Sequence, residues 1–447
     1  MNYLLVKNGF VVKGSEIITE DILVGGNKIL QMGEGIDRPT SDTPVIDASD
    51  KYIIPGAIDM NRHFLDLVAN DASPDELVKL NQAQIFNGTT TMLDALEDCY
   101  EKNYLYNIYK AKEKSKKNMI DYGFHLTFAD LKKSTANAFD YSYIHEGIST
   151  FWVNIAQLVE EKREVLDDIF AHAANHQLLI VCDLSLPEVR KSDVDDIALS
   201  NPEALKRHFL TLSKVVEMGI GFACPVLFMN VKFKEELELI QEALKKGGNF
   251  FASLSLPFAI GFSDQVIHDD HQVITGIASA NSLVPIWEEE VLSLLQSSRY
   301  LINPPVYNLT FEEDSSEELV YNRPDKYFYL RNHLSMLYTV GVMQNKITMQ
   351  QLVDIVSTRP SKMMGLWPQK GLLQHGSDAD FVIWNPTFDR NLYCSLPNAE
   401  HPSGESFKLQ GRPDFVFVKG RMLYNGETFY PKQSDGSFVF RTAKIFD

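Results

Sequence analysis

The stretch Pro55 to Phe64, PGAIDMNRHF, sets an apolar run ahead of a polar cluster. Tyr52, Ile53 and Ile54 lead through Pro-Gly into Ala57, Ile58 and Asp59, then into Asn61, Arg62 and His63. That order describes a short buried strand ending in groups that could hold a metal, shift a proton or donate hydrogen bonds. In a parallel β/α barrel, side chains at the C-terminal ends of strands face the active site. His63 is the strongest metal donor of the cluster. A histidine standing alone also serves simply as a hydrogen-bonded structural residue.

The elements that would position this cluster follow from length and pattern. A chain of 447 residues has room for a barrel of about 250 residues and an accessory domain. Hydrophobic residues make up 45% and charged residues 23%, the balance of a globular protein. The formal net charge of -18 argues against nucleic-acid and anionic-membrane partners. Cys99, Cys182, Cys224 and Cys394 are scattered, so they read as reduced thiols in a cytoplasmic protein. No signal peptide or membrane span is expected.

Residues 3–55 alternate strand-sized apolar runs with Gly and Asn-Gly punctuation, and Gly371 to Pro386 and Arg412 to Glu427 have the same character. Between them, β-like runs alternate with helix-sized segments, the mark of repeated βα units. The runs are Asn87 to Leu96, Asp121 to Asp130, Gly147 to Gln157, Gln177 to Ser185, Phe222 to Val231 and Tyr300 to Val306.

Several of these segments resemble the amidohydrolase superfamily, in its dihydropyrimidinase and hydantoinase branch. PGAIDMNRHF resembles that family's P-G-x-I-D-x-H-x-H, and DYGFH at Asp121 to His125 matches it directly. GLLQHGSDADFVIWNP is similar to K-G-x-I-x-x-G-S-D-A-D-L-V-I-W-D-P almost letter for letter. The resemblance implies an α/β fold: a (β/α)8 TIM-like barrel with a small β-sandwich built from both chain ends. The implied division is 1–54, first part of the sandwich; 55–366, barrel; 367–447, second part of the sandwich and tail. It also makes Tyr300 to Val306 the seventh barrel strand, with the segment bearing the strand-eight Asp shortened or deleted.

Family enzymes bridge two divalent metals with a carboxylated lysine and use a metal-bound water as nucleophile. The resemblance places the ligands on this chain position by position. Asn61 stands at the first His of strand one, leaving His63. No lysine occupies the strand-four position near Gln157; the next is Lys162. Cys182 aligns with the strand-five His, with Asp183 beside it, and Asn230 stands at the strand-six His. His125 aligns with a family histidine outside the ligand set. Asp183 would need a partner such as Arg62 or His63. Asn61, Asn154 and Asn230 could form a neutral hydrogen-bonding pocket. Lys232, two residues past Asn230, sits in a helix-start context, and the acidic run Glu312, Glu313, Asp314, Glu317 and Glu318 reads as a solvated loop.

The reading that follows is a hydantoinase-like homologue that has lost its binuclear centre and acts in binding or as a scaffold. No metal or cofactor is then expected. The alternative is a hydrolase of cyclic amide C–N bonds with an altered or mononuclear zinc site, drawing on His63 and Asp183 with Cys182. Expected partners are copies of itself in a dimer or tetramer, or an active homologue, and a small cyclic amide.

Overall fold

The computed structural model describes residues 3–62, 74–96, 104–127, 142–155, 163–185, 202–255, 288–304, 327–393, 406–430 and 436–442. Both chain ends meet in one mixed sheet. β1 (Tyr3–Lys13), β2 (Glu16–Gly25) and β3 (Lys28–Gly33) form an antiparallel meander, and β4 (Val45–Asp47) pairs with β1. Gly14, at φ +49, opens the two-residue turn between β1 and β2, where a left-handed residue matches the strand twist. β5 (Tyr52–Pro55) pairs with β1 on one side. On the other it pairs with β14 (Phe381–Tyr393), followed by β15 (Ser406–Val418) and β16 (Arg421–Tyr424). Hydrogen bonds join all eight strands, from both chain ends, into one mixed sheet assembly, as expected. Phe381, Ile383 and Phe417 pack with Val6, Val11 and Ile53 in its core.

The second sheet is the barrel. Its strands are β6 (Ala57–Arg62), β7 (Thr89–Leu96), β8 (Asp121–Thr127), β9 (Thr150–Asn154), β10 (Leu179–Asp183), β11 (Val226–Val231), β12 (Phe250–Ser255) and β13 (Tyr300–Asn303). They lie side by side in chain order, every pair parallel. Parallel neighbours need crossover connections, and helices supply them. Among these are α1 (Pro74–Asn87), α2 (Tyr104–Ser115), the single turn α3 (Ser142–His145), α4 (Arg163–Asn175), α5 (Pro202–Gly221), α6 (Lys234–Lys245) and α7 (Glu288–Leu294). Strand alternation separates two cores. Ile58, Met60, Leu93, Trp152, Val181, Leu227, Met229 and Leu301 fill the barrel interior. Phe124, Phe151, Ile180, Cys182, Phe228 and Phe250 face the helices.

One strand assignment changes. Phe250–Ser255 is the seventh strand, and Tyr300–Asn303 is the eighth. FFASLS escaped notice because its serines break the apolar run that marks a strand buried on both faces. Its closing partner therefore took its place in the count.

The floor of the barrel is tied to the mixed sheet by charge. Lys370 Nζ lies 2.7 Å from Asp121 Oδ2 and 3.1 Å from Asp378 Oδ2, and also bonds Asp380. Lys419 reaches Asp121 at 2.9 Å and Lys28 reaches Asp378 at 2.6 Å. Beside this hub, Gly436 to Thr442 runs along the start of β8, bonded to Asn118, Tyr122, Gly147 and Gly365. Arg441 is buried there and donates to the carbonyls of Phe124 and Met364.

Candidate functional site

The C-terminal ends of the barrel strands carry a polar layer above the apolar interior. In β10, Val181 faces inward and Cys182 faces the helices, so Asp183 faces inward again. Register sets Asp183 between Asn154 of β9 and Met229 of β11. Asp183 Oδ1 accepts from Asn230 Nδ2 at 2.7 Å and from the Ser185 backbone N–H at 2.9 Å. Asn230 Nδ2 also reaches Ser185 Oγ at 2.9 Å.

Asn230 reaches Asp183 because β11 is irregular at this point. The pairing with β12 shifts register between Phe228 and Val231, and Asn230 sits at φ +61. Asparagine tolerates the left-handed region better than most residues, and such a bulge re-aims a side chain. Asn303 closes the far side at the end of β13, its amide 4.0 Å from Met229 Sδ.

β6 is also irregular, with a register shift between Asp59 and Arg62. Asp59 accepts from the Asn61 N–H at 3.1 Å and from Gln84 Nε2 at 2.8 Å. Asn61 is buried, and neither atom of its side-chain amide has a hydrogen-bond partner among the described residues. His125 is fully buried, with Nδ1 2.7 Å from Thr150 Oγ1 and Nε2 3.0 Å from the Met60 carbonyl. The carbonyl can only accept, so Nε2 carries the proton of that hydrogen bond.

The residues singled out from sequence thus fall into three groups. Asp183 and Asn230 come together, with Asn154 on the neighbouring strand. Cys182 lies apart: it packs against the helices, and burial, then the neighbouring Asp183, raise its thiol pKa well above the usual range. A ligand at this strand end would have to share the inward face of Val181 and Asp183, which Cys182 does not. His63, Gln157, Lys162 and the run Glu312 to Glu318 lie outside the described residues, and Arg62 is described only as part of β6. Lys232 is half-buried, its backbone N–H held by Glu236 at 2.8 Å; burial lowers its pKa against the opposing pull of Glu236 and Asp183. Ser185 and Asn303 were missed, since a lone Ser or Asn at a strand end carries no distinctive spacing.

The described donors do not fit a binuclear zinc centre. Two positions that would need imidazoles hold the neutral amides of Asn61 and Asn230, and zinc favours imidazole, thiolate and carboxylate. Among the described residues, one carboxylate at this mouth, Asp183, is already bound by amide donors. The cluster with metal-ligand spacing is Asp121, Asp378 and Asp380, at the opposite end of the barrel, where Lys370 occupies its centre.

Comparison with known proteins agrees with this architecture. The Amidohydrolase family pattern matches residues 328–423. The chain is 25% identical to a D-hydantoinase of Geobacillus stearothermophilus, over 98% of this chain and 96% of that one. It is 24% identical to a D-hydantoinase of Ralstonia pickettii, over 98% of each. A crystal structure of D-hydantoinase superposes with a TM-score of 0.79 at 23% identity, covering 99% of both chains. The dihydropyrimidinase of Brevibacillus agri superposes with a TM-score of 0.77 at 21% identity, covering 100% of both. The resemblance is to the hydantoinase branch of the amidohydrolase superfamily. In this hydantoinase-like chain, the almost letter-for-letter G-S-D-A-D motif supplies Asp378 and Asp380 to the floor hub. Among the described residues, no helix is long and apolar enough to cross a membrane.

Proposed function

We propose that this hydantoinase-like chain is a non-catalytic relative of the cyclic amidohydrolases, a binding or scaffold subunit that keeps the fold without the binuclear metal centre. The observation that carries this reading is the closed set of Asp183, Asn230 and Ser185 at the strand ends. Here Oδ1 accepts two hydrogen bonds from the chain itself, which offset the desolvation of a buried carboxylate. A small cyclic amide is the ligand class that the neutral, amide-lined mouth could still accept. The subunit is proposed to assemble as a homo-oligomer, dimer or tetramer, or alongside an active homologue, within the cytoplasm.

A second reading keeps a hydrolase with a mononuclear zinc site. What favours it is Asp183 itself, a buried carboxylate facing inward beside the strand-five ligand position, with His63 as its companion. One experiment separates the two. The purified protein is incubated with zinc, freed of excess metal, and assayed for metal content and for turnover of hydantoin and dihydrouracil. The non-catalytic reading expects less than one zinc per chain and no turnover. Two metals per chain, or turnover of either compound, would sink it.

A further inference from the structure

We propose that Arg331, Arg390 and Arg412, gathered where a helix lies against the mixed sheet, bind a small oxyanion: a phosphate group, free or carried by a small molecule. The site stands apart from the barrel mouth and does not depend on the function read there.

Three elements supply the guanidinium groups: α8 (Phe328–Leu337), β14 and β15. Ser335 of α8 donates to the Gly411 carbonyl at 2.8 Å, which seats the helix on β15 beside Arg412. β14 is bulged at this point, its pairing with β15 shifting register between Asn385 and Asp389, and a bulge re-aims side chains. Arg412 lies over the Phe388 ring, its guanidinium carbon 3.7 Å from the centroid. Arg390, two residues after Phe388, reaches α8 and donates to Asn332 Oδ1, next to Arg331. Its Nε is buried without a hydrogen-bond partner among the described residues. Burial first, then the charges of Arg331 and Arg412, lower the Arg390 pKa. All three arginines are half-buried, within reach of a small ligand.

The cluster is short of negative charge. Arg412 Nε lies 3.4 Å from Asp414 Oδ1, but Asp414 Oδ2 is already held by Lys51 Nζ at 2.8 Å and Asn385 Nδ2 at 3.1 Å. Asp389, beside Arg390 in the chain, pairs with Lys408 at 2.6 Å. Glu427 is exposed at the rim, where Tyr424 feels both it and the two sheet arginines. Among the described residues, the three arginines and Lys51 thus meet two carboxylates, Asp414 and Glu427, a local excess of +2. That excess matches a phosphate dianion. Guanidinium forks bind phosphates and carboxylates through parallel pairs of hydrogen bonds. Three forks from three elements suit the several oxygens of a phosphate better than the two of a carboxylate. The formal charge of -18 on the whole chain does not oppose this. Screening confines that field to about 8 Å at physiological salt, so a small anion answers to the arginines it touches. A polyanion would span acidic surface as well.

The test is isothermal titration calorimetry on the full chain in a low-chloride buffer, with inorganic phosphate and with phenyl phosphate as titrants. Wild type, Arg390→Gln and Arg412→Gln are compared, with circular dichroism as the control for folding. Wild type should bind one phosphate per chain, saturably, and each folded variant at least tenfold more weakly. Tighter binding of phenyl phosphate would mark a phosphate ester as the ligand, and equal binding the free ion; either supports the site. No saturable binding by wild type, or binding unchanged in the folded variants, would overturn it. Should Arg390→Gln fail to fold, Arg412→Gln still decides, because the Arg412 side chain is 31% exposed and its loss leaves the contact between Arg390 and Asn332 in place.

Discussion

Replacing Lys370 with methionine tests whether the floor hub holds the two parts of the fold together. Lys370→Met keeps a long apolar stem and removes the ammonium. Asp121 would still have Lys419 at 2.9 Å, and Asp378 would still have Lys28 at 2.6 Å. Asp380 would keep only the backbone N–H of Lys419, at 2.6 Å. It is therefore the group left as an uncompensated buried charge. Breaking a buried pair by removing one partner costs about 3–5 kcal/mol. The surviving lysines place the expected loss near the lower end, about 3 kcal/mol at pH 7.5, read as a shift of the urea midpoint at constant slope.

The pH dependence carries the sharper signature. Burial pushes the Asp380 carboxyl up to about 6 in the intact protein, against the pull of Lys370. Without Lys370 it must rise further. A carboxyl whose folded pKa exceeds its unfolded value of about 3.9 binds its proton in the native state first. Stability then grows as pH falls through the folded pKa. The deficit of Lys370→Met relative to wild type should shrink between pH 8 and pH 5. A loss below about 1 kcal/mol at pH 7.5, or a deficit constant across that range, would refute the assignment of Lys370 as the charge that holds Asp380.

Three further outcomes are expected. Asn61→His should bind zinc weakly at best and give no measurable hydrolysis of hydantoin or dihydrouracil, because a metal centre acts as a unit and its members are far from additive; robust turnover would mean that the remaining ligands lie elsewhere. Gly365→Ala should destabilise by about 1–3 kcal/mol and speed proteolysis of the C-terminal segment, since Gly365 sits at φ +70 with its missing Cβ 2.1 Å from the Thr442 carbonyl oxygen; an unchanged urea midpoint would contradict the packing described. His172 is held near 4 by burial first and by His176 second, with Tyr143 Oη 2.6 Å from its Nε2. The unfolded chain therefore takes up that proton first as pH falls from about 6.5 towards 4, so His172→Gln should lose less stability than wild type over that window in urea titrations.

Much of the fold was legible because its signals are local. Turn glycines, apolar runs of strand length and alternating βα segments each report on a few neighbouring residues, and together they described the mixed sheet and most of the barrel strands. The strand count slipped at Phe250–Ser255, where serines in the sequence interrupt the apolar run. The site was legible only in part. Asn61, Asp183 and Asn230 could be found by position. The inward face could not, because a shift of one residue reverses every side chain of a strand. Cys182, one residue before Asp183, therefore packs against the helices as a small buried side chain. Ser185 and Asn303 join the mouth through a bulge and a register that no sequence spacing encodes.

The two ends of the barrel have solved the same problem in different ways. At the floor, three buried aspartates are balanced by three lysines, and the residues doing so include the letters that make the chain look most like its relatives. At the mouth, the buried Asp183 is held by neutral donors, the side chain of Asn230 and the backbone of Ser185. A buried carboxylate deprived of a metal must find donors or be protonated. The amide at position 230 supplies a donor at 2.7 Å. Asn230 therefore stabilises the buried carboxylate of Asp183 without a charged partner. The charges that tie the barrel to the mixed sheet lie at the floor, away from the strand ends that carry Asp183 and Asn230.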